Sequence, residues 1–311
     1  MRNIVRIGTR GSQLALWQAD WVKRALLQQF PGLEVETLVI KTKGDKILDV
    51  PLAKVGGKGL FVKEIEEAVL AQRVDLAVHS MKDMPADLPD GLYIGPIPER
   101  EDPGDVLIAK TGRPFSELPQ GARIGTSSLR RAAQLRHARP DIEILPLRGN
   151  LDTRLKKLED PQQGLDAIVL AAAGVKRLAL EDRITEHLEY GIMLPAVGQG
   201  ALCIEIRKTD TWLAQKLETL HHPDTGATVL GERAFLHRLG GSCQVPIAAH
   251  GRIVDGRFEL DGLVADIDGA AVVRDRLSGP PADSERVGVE LAEMLIARGA
   301  GRILEKLQSA E

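Results

Sequence analysis

Strand-like and helix-like patterns alternate through the first two-thirds of the chain. Apolar residues predict a strand over 5–8, and apolar positions at helical spacing predict a helix over 14–25 that stops before Pro31. A second helical stripe at 61–69 precedes a strand predicted over 74–79. This β-α-β order is typical of a parallel sheet flanked by helices.

The same alternation resumes after a proline-rich stretch at 85–103, and a second Gly/Pro hinge at 195–200 leads into a strand that ends at Arg207. Two such crossovers predict that the chain leaves one α/β lobe, builds a second lobe and returns to the first, with a cleft between them. The elements predicted for the second lobe are 105–110, 122–125, 128–138, 142–147, 151–159 and 165–171.

The last third of the chain has a different pattern. Three strands are predicted near 245–253, 257–265 and 270–277, and Asp255-Gly256 between the first two is typical of a hairpin turn. With the helical patterns around them, these strands predict a small α+β domain with a three-stranded antiparallel sheet. The predicted domains are residues 1–98 with 200–217, residues 99–199, and residues 218–311.

Composition and charge narrow the range of partners. Lysine and arginine total 41 against 44 aspartate and glutamate, a net charge of -3, which argues against a general nucleic-acid-binding surface. Two cysteines are too few for a disulfide framework, and we find no metal-ligand spacing. The first residues show no secretory pattern and no apolar run is long enough to cross a bilayer, so a cytoplasmic location is expected.

Polar residues follow the most apolar strand of the first lobe. The run 74–78 leads into His79, Ser80, Lys82 and Asp83. In open α/β sheets, ligands bind beyond the carboxyl ends of the strands, so we expect a ligand site at this edge. His79, still on the buried part of the strand, fits a core histidine better than a base.

Several arginines have an equivalent placement, just after strand-like segments or in the first turn of a helix. Guanidinium groups bind carboxylates and phosphates in a bidentate way, and helix N-termini add N–H donors. For any single arginine, solvated surface charge is the simpler interpretation. Together with the carboxylate of Asp83, however, the set favours a polyanionic ligand that also carries a positive centre. The set is Arg10, Arg130, Arg131, Arg148 and Arg154.

Three further features leave alternatives open. The Gly-rich segment with Lys54 and Lys58 lacks the order of a Walker phosphate loop, and fits a loop over a ligand or an ordinary flexible loop. Phe61 is either a helix-core residue or a platform for a flat ligand. Cys203 lies in an apolar strand, whereas Cys243 lies in a glycine-flanked loop and is a candidate nucleophile or attachment point.

These segments, taken in order, resemble the hydroxymethylbilane synthase (porphobilinogen deaminase) family of tetrapyrrole biosynthesis. The resemblance extends from Ile7 to about Gly301, and so many long matches in order are highly specific. The matching segments are 8–15, 54–64, 77–83, 125–131, 147–150 with Arg154, 195–201, 232–235 and 241–246.

The resemblance implies a fold and an activity. The family has two lobes that resemble those of periplasmic binding proteins and a third domain that carries a cysteine. Its members join four porphobilinogen molecules head to tail, release ammonia each time, and hydrolyse the chain to hydroxymethylbilane. Growth is primed by a dipyrromethane cofactor, held by a thioether to the cysteine that matches Cys243. A monomeric transferase without a metal ion, nucleic acid or membrane is expected.

The resemblance also implies site residues. Asp83 matches the catalytic carboxylate, which would stabilise the positive charge that develops on a pyrrole as ammonia leaves. Lys82, Arg10 and Arg148 are further expected catalytic residues. The expected cofactor- and substrate-binding residues are Ser12, Lys54, Lys58, Phe61, Ser80, Thr126, Ser128, Arg130, Arg131, Gly149, Arg154, Gln199 and Gly200.

Two other classes of protein fit the sequence less well. A non-enzymatic solute-binding protein also has two α/β lobes and an anion-binding cleft, but it gives the loop cysteine Cys243 no role. A phosphoryl transferase needs a phosphate loop and metal-binding carboxylates, and we find neither pattern in the sequence.

Overall fold

The computed structural model describes residues 2–46, 61–241 and 245–308, which fall into two compact units. The first unit comprises the chain up to Glu101 together with Ala201–Gly226. The second comprises Asp102–Gly200 and Ala227–Glu311. The three predicted domains and their boundaries stay a prediction.

Strands and helices alternate through most of the described residues, and three consecutive strands follow near the C-terminal end. In chain order, the strands are β1 (Ile4–Thr9), β2 (Glu34–Val39), β3 (Leu76–Ser80), β4 (Leu92–Ile94), β5 (Asp105–Ala109), β6 (Arg123–Gly125), β7 (Glu143–Leu145), β8 (Ala167–Ala171), β9 (Glu186–His187), β10 (Leu202–Arg207), β11 (Ile247–Val254), β12 (Arg257–Ala265) and β13 (Val272–Gly279). The helices are α1 (Gln13–Gln29), α2 (Lys43–Lys46), α3 (Lys63–Leu70), α4 (Leu129–Ala138), α5 (Leu151–Glu159), α6 (Ala172–Arg177), α7 (Thr211–Leu217), α8 (Pro223–Arg238), α9 (Ser284–Leu295) and α10 (Gly301–Gln308).

A five-stranded mixed sheet in the order β2-β1-β3-β10-β4 forms the first unit. β1 is parallel to β2 and β3, whereas β10 is antiparallel to both β3 and β4. The parallel arrangement predicted from the β-α-β order is confirmed for β1, β2 and β3. No direction was predicted for β10, because it follows the second crossover and local sequence does not fix the direction in which a strand re-enters a sheet.

Helices α1 and α3 cover opposite faces of this sheet. Val78 of β3 packs in the same cluster as the buried face of α1, including Val22. Ala77 packs instead with residues of α3, including Ile65. Because successive side chains of a strand point to opposite faces, His79 lies on the α3 face and Ser80 on the α1 face.

The second unit contains another five-stranded mixed sheet, in the order β7-β6-β8-β5-β9. β6 is parallel to β7 and β8, and β5 is antiparallel to β8 and β9. Helices α4 and α5 begin at capped positions. The Ser128 hydroxyl accepts from the Arg131 N–H at 3.4 Å, and the Asn150 side chain accepts from the Thr153 N–H at 2.9 Å.

A separate three-stranded antiparallel sheet, β11-β12-β13, completes the second unit. Asp255 and Gly256 form the first hairpin turn with φ values of 49° and 72°, which is the left-handed region expected of an Asp-Gly turn. Phe235 of α8, Phe258 of β12 and Leu291 of α9 are buried in its core. Two α/β lobes plus a small α+β part with three antiparallel strands confirm the predicted fold class.

A search of the described residues found no helix that is both long and apolar enough to cross a membrane.

Candidate functional site

A pocket at the carboxyl end of β3 brings together five of the predicted site residues. They are Arg10, Ser12, Phe61, Ser80 and Asp83. The pocket is also lined by Leu14, Ala15, Gln18, Val62, Val78 and His79. We call it the Asp83 pocket. All of these residues belong to the first unit.

Arg10 and Phe61 form one wall of the Asp83 pocket. The guanidinium carbon of Arg10 lies 4.3 Å from the centroid of the Phe61 ring, a cation–π contact. Phe61 precedes α3 and is half-buried, so it is not a core residue of that helix. Of the two interpretations of Phe61, the structure does not support a helix-core residue. A role for its ring as a platform for a flat ligand stays a prediction.

The hydroxyl groups of the pocket are held by α1. The Gln18 side-chain N–H donates to the Ser80 hydroxyl at 2.8 Å, and Gln18 is 2% exposed. Ser12 caps α1, since its hydroxyl accepts from the Ala15 N–H at 3.3 Å. Gln18 was missed by the sequence reasoning, because a glutamine inside an amphipathic helix carries no signal that its amide faces a site.

Asp83 is carried by a single 3₁₀ turn, Met81–Asp83, directly after β3. The turn is anchored by Met81, which is 1% exposed and whose N–H donates to the Ala201 carbonyl at 3.0 Å. Asp83 itself is exposed and lines the pocket. Lys82 is half-buried and is not among the lining residues.

Behind the pocket lies a group of buried ionisable side chains on the α3 face of the sheet. His79 Nε2 is 3.3 Å from a carboxylate oxygen of Glu205, and these side chains are 4% and 0% exposed. Glu66 of α3 is 6% exposed. Burial, followed by the charge of Glu205, raises the pKa of Glu66 to about 7. We call His79, Glu205 and Glu66 the buried acid–histidine row.

In the second unit, Arg130 and Arg131 share one buried carboxylate. Arg130 Nη1 donates to Asp105 Oδ2 at 2.7 Å and to the Leu194 carbonyl at 2.7 Å. Arg131 Nε and Nη2 lie 2.9 Å and 2.7 Å from Asp105 Oδ1. Burial lowers the pKa of Arg131, and the charge of Asp105 opposes that shift. The role of these arginines toward a ligand stays a prediction.

Gln199 joins the same buried carboxylate. Its amide N–H lies 3.1 Å from Asp105 Oδ1 and also donates to the Pro103 carbonyl at 2.7 Å. The neighbouring Gly200 has φ of 88°, and its carbonyl accepts from Arg177 Nη2 at 2.7 Å. Asp105 was not predicted from the sequence. Its position at the head of an apolar strand was the available signal.

The remaining predicted residues of the second unit lie at the starts of α4 and α5. Thr126 is buried, and its hydroxyl accepts from the Ser128 N–H at 3.2 Å. Arg148 and Arg154 are half-buried, and Arg154 Nε donates to the Gly149 carbonyl at 2.8 Å. Gly149 has φ of 116°, and a Cβ there would lie 2.6 Å from a Thr153 methyl carbon, so glycine is required.

Three predicted residues lie outside the described residues. These are Lys54 and Lys58 of the Gly-rich segment, and the loop cysteine Cys243. Their expected roles stay predictions. Cys203 is described, and it is buried in β10 as expected for a structural thiol.

Family models match both parts of the chain. Residues 5–215 match "Porphobilinogen deaminase, dipyromethane cofactor binding domain", and residues 227–297 match "Porphobilinogen deaminase, C-terminal domain". The chain belongs to the porphobilinogen deaminase family.

Curated porphobilinogen deaminases match the chain along nearly its whole length. The protein of that name from Syntrophotalea carbinolica is 57% identical over 97% of this chain and 96% of the relative. The one from Geobacter sulfurreducens is 54% identical over 99% of this chain and 96% of the relative. The sequence similarity to porphobilinogen deaminases therefore extends over both units of the chain.

Among solved structures, an ancestral arginine-binding protein bound to arginine resembles the chain with a TM-score of 0.38. It is 14% identical, and the match covers 71% of this chain and 91% of that chain. A likeness of this size is too weak to support a conclusion about ligand or activity.

The donor set of the described residues fits the cofactor of the porphobilinogen deaminase family. A dipyrromethane carries acetate and propionate groups, which guanidinium groups bind well, and the described residues include Arg10 in the first unit and Arg148 and Arg154 in the second. Its pyrrole N–H groups need an acceptor, and Asp83 is a carboxylate at the mouth of a pocket that also offers the hydroxyl of Ser80. The residues present therefore suit an anionic, N–H-bearing group.

Proposed function

We propose that this chain is a hydroxymethylbilane synthase, which condenses four porphobilinogen molecules with release of ammonia and then hydrolyses the product. Family membership supports the reaction. The observation that carries the assignment of residues is the Asp83 pocket, in which a carboxylate, a cation and an aromatic ring line one cavity. Such a site suits a flat, anionic heterocycle on which positive charge develops.

Asp83 is the proposed catalytic residue. When ammonia leaves the aminomethyl group of porphobilinogen, positive charge spreads over the pyrrole ring and its N–H becomes a stronger donor. A carboxylate that accepts this N–H stabilises the charge as it develops. The anchored 3₁₀ turn holds the carboxylate in place, so little reorganisation is needed during the reaction.

The cationic residues are proposed to bind carboxylates of the substrate and cofactor. Arg10 contributes in the first unit, where its stacking on Phe61 restricts the guanidinium group. In the second unit Arg148 and Arg154 contribute, and Asp105 positions Arg130 and Arg131. The remaining proposed contacts are Lys82, Ser12, Ser80, Thr126, Ser128, Gly149, Gln199 and Gly200, together with Lys54 and Lys58.

The dipyrromethane cofactor is proposed to be attached to Cys243. When bound, it supplies the pyrrole carbon to which the first substrate unit is added. The residues of the chain hold the carboxylates, orient the reacting ring and, through Asp83, stabilise charge at the ring N–H.

Intact-protein mass spectrometry tests whether the cofactor is attached to Cys243. It also distinguishes this enzyme from a solute-binding protein, which would carry no such adduct. The purified protein should be heavier than its polypeptide by two pyrrole units. Cys243→Ala should lose this increment, and the matched variant Cys203→Ala should keep it. A bare polypeptide mass after expression in a porphobilinogen-producing host would contradict the cofactor assignment.

The catalytic role of Asp83 is tested by Asp83→Asn, which keeps the shape of the side chain and removes its charge. We expect kcat to fall about 100- to 1000-fold, the scale for removing one electrostatic stabiliser. Asp90→Asn, an exposed aspartate on the turn before β4, serves as the control and should keep full activity. Near-normal turnover by Asp83→Asn would end the assignment.

Three finer statements about the protein stay predictions: that it is a monomer, that it needs no metal ion, and that it acts in the cytoplasm. Light scattering coupled to size exclusion measures the mass in solution. Activity after exhaustive chelation tests the metal requirement, and fractionation of the source cell tests the location.

A further inference from the structure

Two openings of the first unit are lined by members of the buried acid–histidine row. His79 lines the Asp83 pocket. Glu66 lines an open groove formed by α3 and the segment around Pro85–Pro89, together with Lys63, Glu67 and Asp87. Glu205 lies 3.3 Å from His79, and its negative charge is one of the causes that raise the pKa of Glu66.

This row is unusual for a purely structural group. Among the described residues, Glu66 Oε1, His79 Nε2 and both carboxylate oxygens of Glu205 are buried without a hydrogen-bond partner. The 3.3 Å contact between His79 and Glu205 lacks the alignment of a hydrogen bond. Buried polar groups that serve stability are normally hydrogen-bonded, so an unsatisfied row of three ionisable groups indicates another role.

The charges around the row favour exchange of a proton near neutral pH. Burial raises the pKa of Glu66 to about 7, with Glu205 and Glu67 acting in the same direction and Lys63 opposing them. Asp87, across the groove, adds another negative charge near its opening. On the other side, His79 faces Glu205 and shares the Asp83 pocket with the opposite charges of Arg10 and Asp83.

We propose that His79, Glu205 and Glu66 carry protons between the Asp83 pocket and the groove at α3 during turnover. This inference rests on the proposed function, since it concerns the protons of that reaction. His79 takes up a proton in the pocket, passes it to Glu205, and Glu66 releases it to solvent in the groove.

The chemistry of condensation supplies such a proton. Each step breaks the C–N bond of a protonated aminomethyl group, and ammonia leaves as NH3 with the electron pair of that bond. A new C–C bond then forms at the α-carbon of a second pyrrole. That carbon loses its hydrogen as H+, and the C–H electron pair restores the aromatic ring. Once the NH3 has left the pocket, one proton per added unit remains there, and the proposed path returns it to solvent.

The test compares Glu66→Gln with Glu67→Gln, an exposed neighbour on the same helix that lines the same groove. We expect Glu66→Gln to lower kcat about 100-fold with little change in KM, the lower end of the range for acid–base groups. Its kcat–pH profile should also lose the inflection near pH 7. Glu67→Gln should keep kcat and keep the inflection, shifted slightly downward because one negative charge near Glu66 is removed.

Two further measurements separate a proton path from a structural role. Infrared spectroscopy of the resting protein should show a carboxylic acid band that titrates near pH 7 and is absent in Glu66→Gln. His79→Gln should lower kcat as well, and its combination with Glu66→Gln should be no worse than the stronger single variant, because both interrupt one path.

A wild-type kcat–pH profile in Glu66→Gln, or fully multiplicative losses in the double variant, would overturn the path. Failure of the unmodified protein to convert porphobilinogen would instead overturn the proposed function. The two failures are therefore distinguishable in the same experiment.

Discussion

Replacement of Asp105 by asparagine should destabilise the second unit strongly. Asp105 is fully buried and accepts hydrogen bonds from Arg130, Arg131 and Gln199. Asn keeps the shape but removes the negative charge and turns one acceptor into a donor that faces a guanidinium group. Two buried cations then lose their counter-charge. Breaking a buried ion pair from one side costs about 3–5 kcal/mol, and the upper part of that range is expected for Asp105 because two arginines are affected.

Denaturant unfolding followed by far-UV circular dichroism measures this loss, and hydrogen exchange locates it. Faster exchange is expected in β5, α4 and the segment 193–200. All three tryptophans, Trp17, Trp21 and Trp212, belong to the first unit, so their fluorescence follows that unit separately.

Asp141→Asn is the matched control for Asp105→Asn. Asp141 is paired with Arg139 in the same unit, but its side chain is 29% exposed, so little change in stability is expected. If Asp105→Asn changed the free energy of unfolding by less than about 1 kcal/mol, with exchange in β5 and α4 unaltered, the anchoring role of Asp105 would be refuted.

Three other substitutions give further tests. Gly149→Ala should cost about 1–3 kcal/mol from the left-handed φ and the contact with Thr153, measured by denaturant unfolding, and should exceed the cost of Gly112→Ala, where φ is 67° but nothing lies within 4 Å. Glu66 has its pKa raised on folding, so its stabilising contribution is present below pH 4.5 and is lost as the pH rises to about 7. Glu66→Gln should therefore raise the free energy of unfolding at pH 8 by at most about 3 kcal/mol and have much less effect at pH 4.5, and an equal effect at both pH values would contradict this. Gln18→Leu should raise the KM for porphobilinogen by freeing the Ser80 hydroxyl, at a cost of about 1 kcal/mol in binding, and an unchanged KM would show that Ser80 does not depend on Gln18.

The sequence predicted helices and turns accurately where neighbouring residues fix their ends. The helix predicted over 151–159 is α5, Leu151–Glu159, and the one predicted over 128–138 is α4, Leu129–Ala138. Both begin at side-chain caps and have regular apolar spacing, so their boundaries are encoded within a few residues. The Asp-Gly hairpin at 255–256 was predictable for the same reason.

Strand direction was not predictable in the same way. β3 and β10 are both short apolar runs, and nothing within either run indicates that they pair antiparallel. The pairing depends on where the second crossover returns the chain, which is a property of the whole lobe. The β-α-β rule therefore predicted the parallel pairs of β1 with β2 and β3, but it gave no direction for β10 or β5, which pair antiparallel with β3 and β8.

The same distinction explains which site residues were found. Arg10 comes directly after β1, Ser80 ends β3, and Asp83 lies in the turn after β3, so their clustering at one sheet edge follows from the sequence order. Asp105 begins an otherwise apolar strand and Glu205 lies within a mostly apolar one. From the sequence alone, either charge could lie at an exposed edge or have a buried partner. In the structure both charges have buried partners. Asp105 pairs with Arg130, 25 residues away in the sequence (130 − 105), and Glu205 pairs with His79, 126 residues away (205 − 79). A charge within an apolar strand should therefore be treated as a candidate for a buried functional pair until its partner is identified.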